Sequence, residues 1–244
     1  MSPDNKDSLY TEPLPVIEAF RFDEAVARVF PDMIERSVPG YATLVGMIGL
    51  LARELLRSGS RCYDLGCSLG AVSYAVAQTA RGADVRIVAV DNAPAMIERL
   101  DRRLRSEPPG LPVRTLCADI LDVDIEDASL VVLNLTLQFI APEQRLGLLR
   151  KIHAGLLPGG ALILSEKTAF DAAREQQRVD GLQQAFKRAR GYSELEISQK
   201  RAALERVLIP DTVAAHRQRL KQAGFGDCVQ WFQCLNFVSL LAWK

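Results

Sequence analysis

The ten residues from Arg61 to Gly70 (RCYDLGCSLG) constrain this chain more than any other stretch. A short apolar run, Cys62 to Leu65, stops at two glycines four positions apart, Gly66 and Gly70, and an alanine-rich helical segment, Ala71 to Ala80, follows at once. A strand, a tight turn and a helix in that order present backbone N–H groups and a helix N-terminus to a ligand. The next strand-like run, Val85 to Val90, ends in Asp91, with Asn92 after it. A carboxylate in that place can accept both hydroxyls of a ribose.

The dinucleotide fingerprint G-x-G-x-x-G is broken here, because Gly66 is followed by Cys67, Ser68 and Leu69 before Gly70, and the Gly-Lys-Ser/Thr of a P-loop occurs nowhere. Asp64 stands at the mouth of the turn, where a carboxylate repels a pyrophosphate but pairs with an amino group. A ribose partner beside an ammonium partner favours S-adenosylmethionine over NAD or ATP. A structural strand–helix turn without a ligand is the simpler alternative, and the matched Asp91 argues against it.

Among the 244 residues, Lys+Arg and Asp+Glu balance at 30 each, so nothing suggests the extended electrostatic grip with which proteins hold nucleic acid directly. No apolar run reaches the roughly 18 residues of a membrane span. The polar start, with Asp4, Lys6 and Asp7, is unlike a signal peptide. Five cysteines without a C-x-x-C pair suggest reduced thiols and no zinc or other metal. The expectation is a cytoplasmic protein away from membranes.

Along the chain, residues 1–20 read as a flexible arm, and 21–244 as a single domain. Its opening part, 22–57, holds two cap helices: Phe22 to Arg36, interrupted by Pro31, and Tyr41 to Arg57. After Asp91 come a helix over Ala95 to Arg105, a strand over Val113 to Ala118 leading into Asp119-Ile120, a strand over Ser129 to Leu135 containing Asn134, a helix over Pro142 to Leu157 that stops at Pro158-Gly159-Gly160, and a strand over Ala161 to Ser165. Two strand-like runs, Asp227 to Cys234 and Asn236 to Trp243, read as a closing hairpin. This is an α/β, Rossmann-like, seven-stranded and mostly parallel sheet with a C-terminal antiparallel hairpin. Ligands bind such sheets at the carboxyl ends of the strands, where Asp119 suits an adenine amine and Ile120 an adenine face. Residues 168–223 are too long for a plain crossover and read as a helical insertion of three helices, the third beginning at Asp211 after Pro210. Ser193 with Glu196 matches a capping box. The basic end of the first insertion helix, Lys187, Arg188 and Arg190, is either a solvated face or a site for an anionic substrate.

Several blocks also resemble a known family. FPDMIERSVPGY (30–41), YDLGCSLGA (63–71), VDNAPAMIER (90–99), NLTLQFIAPEQR (134–145), LPGGALILSEK (157–167), GYSELEISQKR (191–201) and WFQCLNF (231–237) are similar to the carboxy-S-adenosyl-L-methionine synthases, from about residue 20 to the end. The glycine loop fits any class I methyltransferase, whereas the SVPGY and GYSELEISQKR blocks are specific to this family. The resemblance implies a methyltransferase fold with changed chemistry. S-adenosylmethionine would be the acceptor and prephenate the carboxyl source, giving carboxy-S-adenosylmethionine and phenylpyruvate. A downstream tRNA carboxymethyltransferase would use the product to make 5-carboxymethoxyuridine at the wobble position. By similarity the cofactor contacts are Tyr41, the loop Gly66-Cys67-Ser68, Asp91 and Asn92, Asp119 and Ile120, and Asn134. Arg201 would grip the new carboxylate bidentately and count as the catalytic residue.

In the family mechanism prephenate releases carbon dioxide and hydroxide as its ring becomes aromatic. The hydroxide removes a methyl proton from the sulfonium, and the resulting ylide captures the carbon dioxide. A homodimer is expected from the apolar faces of the early helices and the insertion. The chain departs from the family pattern at Gln183-Gln184-Ala185, at Arg190 and at Thr168. The same synthesis serving a secondary-metabolite pathway, an S-adenosylmethionine-dependent methyltransferase acting on a small molecule or RNA, and a non-catalytic binding subunit therefore stay open.

Overall fold

The structure is a computed structural model that describes residues 5–80, 82 and 84–244; Met1 to Asp4 of the expected arm lie outside the described residues. Its elements run α1 (Glu24–Ser37), α2 (Tyr41–Leu55), β1 (Arg61–Leu65), α3 (Ala71–Thr79), β2 (Arg86–Asp91), α4 (Pro94–Ser106), β3 (Val113–Cys117), β4 (Ala128–Asn134), α5 (Pro142–Gly155), β5 (Leu156–Ala169), α6 (Ala173–Ala189), α7 (Glu194–Leu204), β6 (Asp211–Thr212), α8 (Val213–Ala223), β7 (Cys228–Cys234) and β8 (Phe237–Trp243). Strand order is β3-β2-β1-β4-β5-β8-β7, with the two-residue β6 paired beside β5. The first five strands pair in parallel, and β8 enters antiparallel between β5 and β7.

Strand periodicity sorts the core into two layers. On β4, Val131 and Leu133 face the side covered by Leu148, Leu149 and Ile152 of α5 and Leu220 of α8. The alternate residues Leu130 and Val132 face Leu44 and Ile48 of α2 and Val72 and Val76 of α3. Period-two alternation in a run that is apolar throughout requires helices on both faces. Each fully buried aliphatic side chain of this kind contributes roughly 1.5–3 kcal/mol.

Local sequence accounts for most boundaries. Asp23 caps α1 by accepting from the Val26 amide, Ser193 and Glu196 form a reciprocal capping box on α7, and Gly224 closes α8 in a left-handed conformation. Three boundaries differ from the sequence reading. Pro31 does not interrupt α1, which runs through it; the lost hydrogen bond is offset by the burial of Val26, Val29 and Met33 on one face. Strand β5 begins at Leu156 and passes through Pro158-Gly159-Gly160, because Leu156 pairs with Ala128 ahead of a register shift in β4. Asp211 belongs to β6, leaving Thr212 to cap α8.

The arm is tied down over its described residues. Asp7 is buried and receives hydrogen bonds from the Tyr192 hydroxyl and the Lys200 ammonium, while Gln199 accepts from the Leu14 amide. Phe20 packs with Val26 and Met33 of α1, Met96 of α4 and Ala203 of α7. The arm, α1, α6 and α7 thereby stand over the carboxyl ends of the parallel strands.

Candidate functional site

A cavity of about 380 Å³ opens where those caps meet the strand ends. Its floor is the turn from β1 to α3. The Gly66 and Cys67 amides both donate to the Val90 carbonyl (2.8 and 2.9 Å), and the Gly70 amide donates to the Cys67 carbonyl (2.8 Å). Gly66 has φ +80°, and a Cβ there would collide with the Thr136 side chain; at Gly70 (φ +77°) a Cβ would lie 2.5 Å from Leu100. Only glycine adopts this backbone at such close approach without strain.

Asp91 ends β2 and fastens the turn. Its Oδ2 accepts from the Ser68 amide (2.8 Å) and its Oδ1 from the Ala93 amide (2.9 Å). Each oxygen keeps a lone pair for the cavity. Burial pushes its carboxyl up, against those two N–H donors. Asp64 at the end of β1 is more buried still. The Ser73 amide (3.0 Å) and hydroxyl (2.7 Å) both donate to its Oδ2, and burial pushes the carboxyl up to about 6. Among the described residues its Oδ1 has no hydrogen bond, and Asp64 lines the cavity beside Tyr41. The Tyr41 phenol is pushed up by burial first and then by the charges of Asp64 and Glu35.

Asn134 ends β4, and its Oδ1 is buried without a partner among the described residues. An unpaired buried acceptor is costly unless a ligand donates to it. Beyond it, Leu135 (φ +61°) turns the chain into residues 136–138, whose amides all point at one carboxylate. Glu166 of β5 accepts from Thr136 (3.2 Å), Leu137 (2.8 Å) and Gln138 (3.0 Å). Burial pushes this carboxyl up to about 8 against the three donors and the charge of Arg145.

The opposite wall is cationic. Lys167 of β5, Lys187 of α6 and Lys200 of α7 line the same cavity. Burial, followed by the charges of Lys167, Lys200 and Arg201, brings Lys187 down to about 8. Lys167 is lowered by burial and then by Arg201. Lys200 differs from the other two, because its ammonium is held by Asp7 (3.1 Å), the Ser37 hydroxyl (3.1 Å) and the Tyr192 hydroxyl (3.2 Å). Phe20, Phe22, Phe30 and Phe139 supply the apolar wall between the two ends.

Of the residues expected from the sequence, Tyr41, Gly66, Cys67 and Ser68 line this cavity together with Asp91, Asn92, Asp119, Ile120 and Asn134. Asp119 sits at the exposed rim, with Oδ1 accepting from the Leu121 amide (2.9 Å), and Ile120 is buried beside it. Arg201 is not among the lining residues. Its side chain is exposed on α7, about 100° around the helix from the inward-facing Lys200. Of the expected basic end of α6, Lys187 enters the cavity while Arg188 and Arg190 are exposed. Sequence reasoning missed Lys167, Lys200 and Glu166. The available signal was Glu166-Lys167, two charges closing an otherwise apolar strand. Among the described residues no group of three or more His, Cys, Asp or Glu side chains is arranged to hold a metal ion, and no helix is long and apolar enough to cross a membrane.

Residues 63–160 match a family profile described as Methyltransferase domain. Proteins named carboxy-S-adenosyl-L-methionine synthase are close in sequence over their full length. The one from Geobacter sp. (strain M21) is 56% identical over 98% of this chain and 98% of that one. The one from Trichlorobacter lovleyi is 58% identical over the same shares, 98% and 98%. Among solved structures, human N-acetylserotonin methyltransferase in complex with SAM superposes with TM-score 0.61 at 16% identity, over 91% of this chain and 55% of that one. The cyclopropane synthase MmaA2 from Mycobacterium tuberculosis gives 0.58 at 17% identity, over 80% and 66%. At such identities the structures speak for the fold alone, which is the class I methyltransferase fold with its antiparallel C-terminal hairpin.

Proposed function

The chain belongs to the carboxy-S-adenosyl-L-methionine synthase family, and from that membership we propose that it converts S-adenosylmethionine and prephenate into carboxy-S-adenosylmethionine, phenylpyruvate and water. The observation that carries this reading is the two-ended charge of one cavity, with Asp64, Asp91 and Asp119 on one side and Lys167, Lys187 and Lys200 on the other. Methyl transfer requires only the first end. A second, anionic substrate held against the same ligand requires both.

S-adenosylmethionine supplies a sulfonium-activated methyl group, to which the carboxyl is attached. Asp91 takes the ribose hydroxyls through the lone pairs left by Ser68 and Ala93, with Asn92 alongside. Asp64 takes the ammonium through its free Oδ1, next to Tyr41. Asp119 and Ile120 take the adenine edge and face, and the Asn134 carbonyl finds its donor in the ligand. The Gly66-Cys67-Ser68 turn presents backbone. Prephenate loses its ring carboxyl as carbon dioxide and its ring hydroxyl as hydroxide. The hydroxide leaves as water with one methyl proton, and carbon dioxide becomes the new carboxyl. For this the chain has to exclude water and hold anions in place, and the aromatic wall and the lysines do both. The role of Arg201 on the product carboxylate is carried over from the family; its exposed side chain lies outside the cavity lining, and its charge reaches Lys167 and Lys187.

The product serves a tRNA carboxymethyltransferase that builds 5-carboxymethoxyuridine, in the cytoplasm. The chain works as a homodimer, a reading supported by Val16 and Leu50, large apolar side chains 73% and 52% exposed on the arm and α2. The test is mass spectrometry of the small molecule released by denaturing protein purified from cells. Carboxy-S-adenosylmethionine is expected. Release of S-adenosylhomocysteine alone would overturn the reading in favour of methyl transfer.

A further inference from the structure

The lysines of the cavity are not equivalent. Lys200 is already neutralised, since its ammonium is paired with Asp7 in a site that also receives Tyr192, and both ends of the pair are buried. Lys167 and Lys187 line the same cavity, and among the described residues neither forms an ion pair or a side-chain hydrogen bond. They come from different elements, β5 and α6, so their meeting is a product of the fold. The groups that act on them are few. Asp180, on α6 itself, is the carboxylate facing both; Arg201 of α7 adds a further positive charge to both, and Lys200 adds one to Lys187. Asp180 is in turn held by the Gln176 side-chain amide (2.9 Å). Setting Lys200 aside with Asp7, and Arg201 against Asp180, neither of which lines the cavity, the two ammoniums of Lys167 and Lys187 remain uncompensated in it.

Two half-buried ammoniums in one cavity, with the charge of Lys167 lowering Lys187, cost free energy in the empty site. The arrangement is relieved by a ligand that brings two negative charges on one small body. We propose that Lys167 and Lys187 form a clamp for a compact dicarboxylate, and that this clamp is the site which selects the carboxyl donor. The identity of the donor as prephenate rests on the function proposed above; the clamp itself rests on the two lysines. Gln183, buried on the same helix one turn before Lys187, lines the cavity next to it and adds a neutral polar group. A clamp matched to a dianion also discriminates after reaction. When one carboxyl has left as neutral carbon dioxide, the remaining monoanion meets two cations and is held less tightly than the substrate was.

The experiment uses the full chain with Lys167→Met and Lys187→Met, and with Lys187→Arg as the charge-preserving control. Binding of phenylsuccinate and of phenylacetate, a dianion and a monoanion of similar size, is measured by calorimetry in the presence of S-adenosylmethionine, and prephenate kinetics are measured alongside. Wild type and Lys187→Arg are expected to prefer the dianion. Each Met variant is expected to lose that preference and to raise the prephenate KM by about 30-fold or more, the size usual for removing one member of a desolvated charge pair. S-adenosylmethionine affinity should stay unchanged in all of them. Dianion preference in wild type should also fade above about pH 8, as Lys187 loses its proton in the field of Lys167, Lys200, Arg201 and Asp180.

Dianion preference that survives both Met substitutions overturns the clamp. A parallel loss of S-adenosylmethionine affinity overturns it too, by assigning the lysines to that ligand's own carboxylate. Wild type that prefers phenylsuccinate but makes no product from prephenate leaves the clamp standing and refutes the proposed function alone.

Discussion

Replacing Glu166 with alanine is expected to weaken the fold and the ligand site together. The Glu166 carboxylate is 2% exposed and is the acceptor for three consecutive backbone amides, those of Thr136, Leu137 and Gln138. A buried donor left without an acceptor costs about 1–3 kcal/mol. Three such donors, partly re-satisfied by water entering the vacated space, give a loss of about 3–5 kcal/mol. For a chain of this size each kcal/mol moves Tm by roughly 2–4 °C, so a drop of about 10 °C is expected. Glu166→Gln keeps an oxygen where Oε1 serves Thr136 and Leu137 and loses the acceptor for Gln138, at a cost of about 1–2 kcal/mol. Thermal and urea unfolding read the stability, and calorimetry reads S-adenosylmethionine affinity, which should fall in the alanine variant because Thr136 and Gln138 line the cavity. An alanine variant within about 1 kcal/mol of wild type, or a glutamine variant as unstable as alanine, would refute the argument from backbone satisfaction.

Affinity for S-adenosylmethionine should decline as pH falls through about 6, because the free-state Asp64 carboxyl is held there by burial and an ammonium prefers it ionised. Calorimetry between pH 5 and 8 checks this, and Asp64→Asn should flatten the profile at weak affinity. Asp7→Ala should cost about 3–5 kcal/mol in unfolding experiments, since it leaves the buried Lys200 ammonium unpaired. Lys200→Met in the same background should recover part of that loss. Gly66→Ala should lower S-adenosylmethionine affinity at least about tenfold, for it forces a left-handed backbone and a collision with Thr136 where the ligand sits.

The strand ends were legible because their chemistry is local. Two glycines at positive φ, an Asp one residue before the end of β1, and an Asp and an Asn closing β2 and β4 announce a turn and a row of polar groups whichever way the sheet packs. The capping box at Ser193 and Glu196 was legible for the same reason. The cationic wall was not. On α7, Lys200 faces inward and Arg201 outward, and a rotation of one residue separates the two; only the packing of α7 on the arm decides it. The burial of Asp7 depends on partners 185 and 193 residues away, Tyr192 and Lys200, which no local pattern encodes. Strand β5 through Pro158-Gly159-Gly160 and the place of β8 between β5 and β7 were equally hidden, since pairing across a sheet sets both.

The central claim is that a carboxyl group passes from prephenate to the methyl group of S-adenosylmethionine within this cavity. The most direct measurement supplies prephenate carrying carbon-13 in its ring carboxyl, together with unlabelled bicarbonate, and follows the label by mass spectrometry. The account predicts carboxy-S-adenosylmethionine one mass unit heavier, formed in step with unlabelled phenylpyruvate. Unlabelled carboxy-S-adenosylmethionine, or S-adenosylhomocysteine accumulating in its place, would contradict it.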